Sequence, residues 1–123
     1  MSYAERHEVV VTTAADGSAT AYSPIVTGKL SQIRYVKTDF AVGVDFTITA
    51  EATGETIWTD TNVDASETVA PRQPTHDTAG AAAVYAAGGS AVLDKISLAN
   101  DRVKIVIAAG GNAKTGTFHI ILG

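Results

Sequence analysis

Along residues 44–51 (VDFTITAE) apolar and polar side chains alternate without a break. Val44, Phe46, Ile48 and Ala50 fall on one face, and Asp45, Thr47, Thr49 and Glu51 on the other. A period of two puts successive side chains on opposite sides of an extended backbone, so this stretch predicts a strand with one buried face. Gly43 opens it, and Ala52-Thr53-Gly54-Glu55 turns the chain toward Thr56-Ile57-Trp58-Thr59, which predicts a hairpin. Residues 8–13 (EVVVTT) are a β-branched run followed by Ala15-Asp16-Gly17-Ser18, and residues 19–22 read as the returning strand of another hairpin. Pro24, which cannot donate to a ladder, marks an edge or exit. Residues 25–37 (IVTGKLSQIRYVK) continue extended. Alternation is imperfect there because Leu30, Ile33, Tyr35 and Val36 compete for the core, and Gly28 reads as a bulge.

Three more strands close the chain, at residues 92–98, 102–109 and 116–122. Val103, Ile105 and Ile107 share one face of the second, and Phe118, Ile120 and Leu122 one face of the third. The last two are apolar on parts of both faces, which predicts a central place in a sheet or a subunit contact. Residues 60–89 have a different character. Residues 61–69 are polar, and Pro71-Arg72-Gln73-Pro74 favours an extended, partly solvated path. The alanine-rich residues 79–89 predict at most one short helix over 79–88, capped by Asp77 or Thr78 and ended by Gly88, with Gly80 weakening it. A loop of about 30 residues is unusual in a compact domain and is commonly functional or ordered by a partner, so this segment is expected to be a contact arm. The whole predicts an all-β chain: a single compact β-sandwich or small barrel of about seven or eight mostly antiparallel strands. Residues 1–24 form an N-terminal strand or arm, and residues 25–123 the β domain with its extended loop at 60–89.

Composition narrows the function classes. A chain of 123 residues holds one core. Hydrophobic residues make up 46%, but much of that is alanine, beside one Trp, one Met, three Phe and four Tyr. A thin core of this kind is expected to draw stability from another surface, by oligomerisation or docking. Cysteine is absent, which removes disulfides, thiolate metal sites and a Cys nucleophile. The net charge of -4 argues against binding a phosphate backbone, and Arg102, Lys104 and Lys114 are the nearest approach to a basic cluster. Residues 1–7 carry no apolar signal core and no run is long enough for a spanning helix, so neither export nor a membrane partner is expected.

Candidate chemistry is sparse. GGNAKTG at residues 110–116 imitates a phosphate loop through Lys114 and Thr115. Ala113 and Ala108 stand where glycines are required, however, and no helix is predicted after it, so it reads as a hairpin loop. His76-Asp77 could begin a metal or general-base site only if His7, His119 or several carboxylates converged on it. The acidic residues form no isolated pair, and Ser23, Ser31, Ser66, Ser90 and Ser97 lie outside any G-x-S-x-G context. No catalytic, cofactor-binding or metal residue is assigned, and no small-molecule substrate is expected. Trp58 reads as a core or subunit-contact anchor, or as a sugar-stacking platform if Tyr22, Tyr35 or Tyr85 lay beside it.

The segments THDTAGAAAVYAAGG, VLDKISLANDRVKIVIAAGG and NAKTGTFHIILG, preceded by VDFTITAEATGETIWT, together resemble small virion proteins encoded among the head genes of tailed bacteriophages. The likeness covers about residues 25–123, and its closest fit is to capsid decoration or cement proteins. It implies no active site. What it does imply is a homotrimer on the capsid surface, made in the host cytoplasm, with the major capsid protein as partner and no direct contact with nucleic acid. A tail or baseplate component and a carbohydrate-binding sandwich are the alternatives. The residues expected to touch the partner are Tyr3, Val10, Tyr22, Trp58, Pro71, Arg72, Pro74 and Tyr85.

Overall fold

The structure, a computed structural model, describes residues 4–123. Ten strands follow one another: β1 (Glu5–Thr12), β2 (Ala19–Tyr22), β3 (Val26–Lys37), β4 (Val44–Ala50), β5 (Thr56–Val63), β6 (Glu67–Val69), β7 (Arg72–Pro74), β8 (Leu93–Asp101), β9 (Val103–Ala108) and β10 (Thr115–Leu122). They form a six-stranded sheet ordered β1-β10-β3-β8-β7, with β6 also paired to β3, and a four-stranded sheet ordered β2-β9-β4-β5. The pairings are antiparallel. The protein is all-β, and its two sheets share one apolar core, as in a β-sandwich.

The period-two reading holds where it was cleanest. Val44, Phe46, Ile48 and Ala50 are buried, as are Val103, Ile105 and Ile107 on β9 and Phe118, Ile120 and Leu122 on β10. As their two-sided apolar character predicts, β9 lies between β2 and β4, and β10 between β1 and β3. The broken alternation of β3 has a geometric cause. Ile33 pairs with Ile120, but Leu30 pairs with Leu122, and the shift in register between them turns both Leu30 and Ile33 into the core. Gly28 sits at a second irregularity, where pairing jumps from Val26 to Gly28 against β8.

Two of the expected hairpins take another form. Only β4 and β5 pair as the hairpin read from residues 44–59. Strands β1 and β2 belong to different sheets, as do β9 and β10, so Asp16-Gly17 and GGNAKTG are crossovers between sheets and not hairpin turns. The two crossovers brace each other. The hydroxyl of Thr13, itself buried, donates to the Gly111 carbonyl at 2.6 Å and accepts from the Lys114 amide at 2.9 Å, and the Gly110 amide donates to the Gly17 carbonyl at 2.9 Å. The peptide groups of the phosphate-loop imitation are thus engaged by the protein itself. Within the span 1–24 read as an N-terminal strand or arm, residues 5–22 supply one edge strand to each sheet.

The span at 60–89 is also more structured than a loop. β5 continues to Val63, β6 lies on Ile33-Arg34-Tyr35, and β7 pairs with β8. Among the described residues there is no helix, so the alanine-rich segment does not form one. Gly80 (φ +84°) and Gly88 (φ +73°) take left-handed conformations that interrupt a helix at both ends.

At the centre, Tyr35 and Phe118 from the larger sheet meet Phe46 from the smaller. Phe46 lies edge-on to Tyr35 at 4.6 Å and to Phe118 at 5.1 Å between ring centroids. Phe40 packs beside Tyr35 and over Gly116, whose place admits no side chain: a Cβ there would lie 2.7 Å from Phe40 Cδ2. Two substitutions test this packing by urea denaturation. Phe46→Ala is expected to cost about 3–5 kcal/mol through the cavity it leaves. Gly116→Ala is expected to cost about 1–3 kcal/mol by overpacking alone. A Gly116→Ala protein as stable as the parent would contradict the close approach of Phe40.

Candidate functional site

Beyond β7 the chain leaves the sheet and returns at β8, and residues 75–92 between them form a small projecting structure. It extends the β7–β8 pairing: the Thr75 amide and hydroxyl both donate to the Val92 carbonyl, at 2.8 and 2.9 Å. Ala83 is held between these two positions, its amide donating to the Thr75 carbonyl at 2.7 Å and its carbonyl accepting from the Val92 amide at 2.9 Å. Bridges from His76 to Ala82 and from Val84 to Ala91 complete the fold of the segment. Asp77 organises its first turn, with Oδ1 accepting from the amides of Ala79 (2.9 Å) and Ala81 (3.1 Å). The Asp77 expected to cap a helix therefore caps a turn. At the tip the Gly89 amide donates to the Ala86 carbonyl, and the Tyr85 ring lies against Gly89.

The surface of this segment is unusual. Residues 78–93 carry no Asp, Glu, Lys, Arg or His, and Asp77 and Asp94 bound them. Tyr85 is 78% exposed and Leu93 57%, with Val84 and Val92 also exposed. The other exposed large apolar residues, Val10, Ile25, Val42 and Tyr22, lie elsewhere along the chain. A contiguous uncharged segment with four exposed apolar side chains is the feature most like an interaction surface. Its base is firm, because Arg72 donates to the carbonyls of Ser31 (2.9 Å) and Pro71 (2.8 Å) and so ties β7 back to β3.

The expected contact residues divide over the molecule. Pro71, Arg72, Pro74 and Tyr85 belong to β7 and the segment it leads into, with Pro71 buried at the root. Val10 is on β1, at the opposite edge of the same sheet. Tyr22 ends β2, where the Arg102 guanidinium sits 3.8 Å above its ring and forms two hydrogen bonds with Glu51, at 2.9 and 2.8 Å. The Glu51 carboxylate raises the Arg102 pKa further above its ordinary value. Trp58 is half-buried on β5, edge-on to Phe46 at 5.6 Å, and two strands separate it from Tyr22. Tyr3 lies outside the described residues. The seven described residues do not form one patch.

Sequence reading passed over Val84, Val92 and Leu93. The signal that finds them is the absence of charge between Asp77 and Asp94, which strand and turn patterns ignore. The three histidines stay apart. His7 approaches Glu5 at 3.4 Å, His119 Nδ1 accepts from the Arg6 guanidinium at 3.1 Å, and His76 lies at the far edge of the larger sheet. Among the described residues no group of three or more His, Asp or Glu side chains is placed to hold a metal ion.

Asp77→Ala removes the acceptor that shapes the first turn, a change worth about 0.5–2 kcal/mol locally. Amide exchange at Ala79, Ala81 and Ala83 is expected to speed up while the global unfolding midpoint stays unchanged. Unchanged exchange at those amides would contradict the role given to Asp77.

Against known proteins, the chain matches no family model and no curated protein.

Proposed function

We propose that this chain is a capsid decoration protein of a tailed bacteriophage, binding the assembled head lattice and stabilising it by bridging major capsid subunits. The observation that carries this reading is the uncharged projecting segment at residues 78–93, held on the edge of a well-packed β domain. The sequence resemblance supplies the phage context and the expectation of a homotrimer.

The physical logic is mass action. A protein that binds the closed lattice and not its separated subunits lowers the free energy of the closed shell. Several copies joined in one oligomer engage several sites at once, which adds avidity. The segment suits the task because Val84, Tyr85, Val92 and Leu93 are already displayed by backbone hydrogen bonds, so little ordering entropy is lost on docking. The rest of the chain carries a net negative charge, and the uncharged segment is where a partner can approach without meeting it.

Charging the segment tests the reading. Removing residues 1–22 would delete β1 and β2 and unfold the domain, so it is not informative. The double variant Val84→Asp, Tyr85→Asp alters only exposed positions and leaves the core alone. Mixed with phage heads lacking this protein, the parent chain is expected to cosediment with heads saturably, and the double variant to bind about tenfold or more weakly with an unchanged unfolding midpoint. Cosedimentation with tails only, or equal binding by parent and variant, would overturn the proposal.

A further inference from the structure

The core between the sheets is built of apolar side chains, and two acidic residues stand at its margin. There Glu67 on β6 stands opposite Tyr35 on β3, and Asp60 on β5 stands opposite Phe46 on β4. Directly opposed residues of an antiparallel pair project from the same face. Glu67 therefore leaves the larger sheet on the side of Tyr35, and Asp60 leaves the smaller sheet on the side of Phe46. Since the Tyr35 and Phe46 rings lie 4.6 Å apart across the core, the two registers direct the half-buried Glu67 and Asp60 toward the same border of it. Oε1 of Glu67 and the hydroxyl of Tyr35 are both buried and find no partner in the chain.

Two carboxylates in contact and partly out of water repel, whereas a carboxylic acid and a carboxylate share a proton in a strong hydrogen bond. A hydrogen bond that protonated Glu67 can make to Asp60, then burial, then the charge of Asp60 push the Glu67 pKa up to about 7. The neighbouring charges are turned to other partners. On β3, Arg34 donates to the Thr68 hydroxyl, and Lys37 donates to the backbone carbonyl of Asp64 in the β5–β6 turn. The Asp64 carboxylate accepts from the Gly43 amide, and on β4 Asp45 accepts from the Asn62 amide. From β3 the group facing the pair is the Tyr35 phenol, pushed up to about 12 by burial and then by the charge of Glu67.

We propose that Asp60 and Glu67 form a proton-dependent latch between the two sheets, in which one shared proton ties β5 to β6 and its loss loosens β6. Strand β6 is only three residues long and is paired to β3 alone, so it has few other ties. It runs through Ala70 and Pro71 into β7, the root of the projecting segment. The sign follows from proton counting. Glu67 binds its proton more tightly in the folded chain, so the contribution of the latch is fully present below the ordinary value of 4.5 and is lost as pH rises through about 7.

The test uses the purified chain alone and so stands apart from the capsid reading. Carboxyl carbon NMR on the parent follows Glu67 and Asp60 directly, and urea unfolding at pH 5.5 and 8.5 compares the parent with Glu67→Gln and Asp60→Asn. Glu67 is expected to titrate near neutrality. The parent's folded-to-unfolded ratio is expected to fall about tenfold or more relative to either variant between the two pH values, because a carboxamide keeps a donor at every pH. Both carboxyls titrating in the ordinary range, or parallel pH profiles for parent and variants, would overturn the latch. Should one variant fail to fold, the other variant and the NMR titration of the parent still decide.

Discussion

Tyr35 and Phe118 from one sheet and Phe46 from the other meet ring to ring in the middle of the protein, and the strand pairings are arranged around that contact. All three phenylalanines of the chain lie in the core, so the few large apolar side chains available are concentrated where the sheets face each other. Edge-to-face aromatic packing holds the sheets at a fixed separation and fills space that alanine cannot. The contact also sets the polar boundary. Where the aromatic cluster ends, Asp60 and Glu67 stand as the cross-strand partners of Phe46 and Tyr35.

The ends of the sandwich-like arrangement are closed by hydrogen bonds that depend on the same packing. At one end Thr13 binds the peptide groups of Gly111 and Lys114. At the other the Ser23 hydroxyl accepts from the Val103 amide, and Asp101 accepts from the amides of Ala52 and Arg102. Each of these residues is buried and polar, and each satisfies backbone groups that crossing from sheet to sheet would otherwise strand.

The all-β class and most of the inward faces were legible in the sequence, because a period of two reports on one strand at a time: Val44 to Ala50 on β4 and Val103 to Ile107 on β9 could be assigned without knowing their neighbours. Pairing could not be read this way. Asp16-Gly17 and Gly110-Gly111 supply turn geometry equally to a hairpin and to a crossover, and the choice is made by which sheet buries the strand that follows. Strands β6 and β7 are too short and polar to show a period. In the alanine-rich segment helix propensity yields to left-handed glycines and to cross-bonds among Thr75, Ala83 and Val92. The placement of Asp60 and Glu67 at one border of the core depends on two strand registers that no local pattern encodes.

What emerges is a rigid β domain whose edge presents a short uncharged structure to its surroundings. The proposed attachment to a phage head turns on the orientation of that edge, and electron cryomicroscopy of the assembled particle reads it directly. The account predicts density for this domain on the outer surface of the head, with residues 78–93 against the major capsid protein. Density confined to the tail, or a head-bound domain with that segment pointing into solvent, would contradict it.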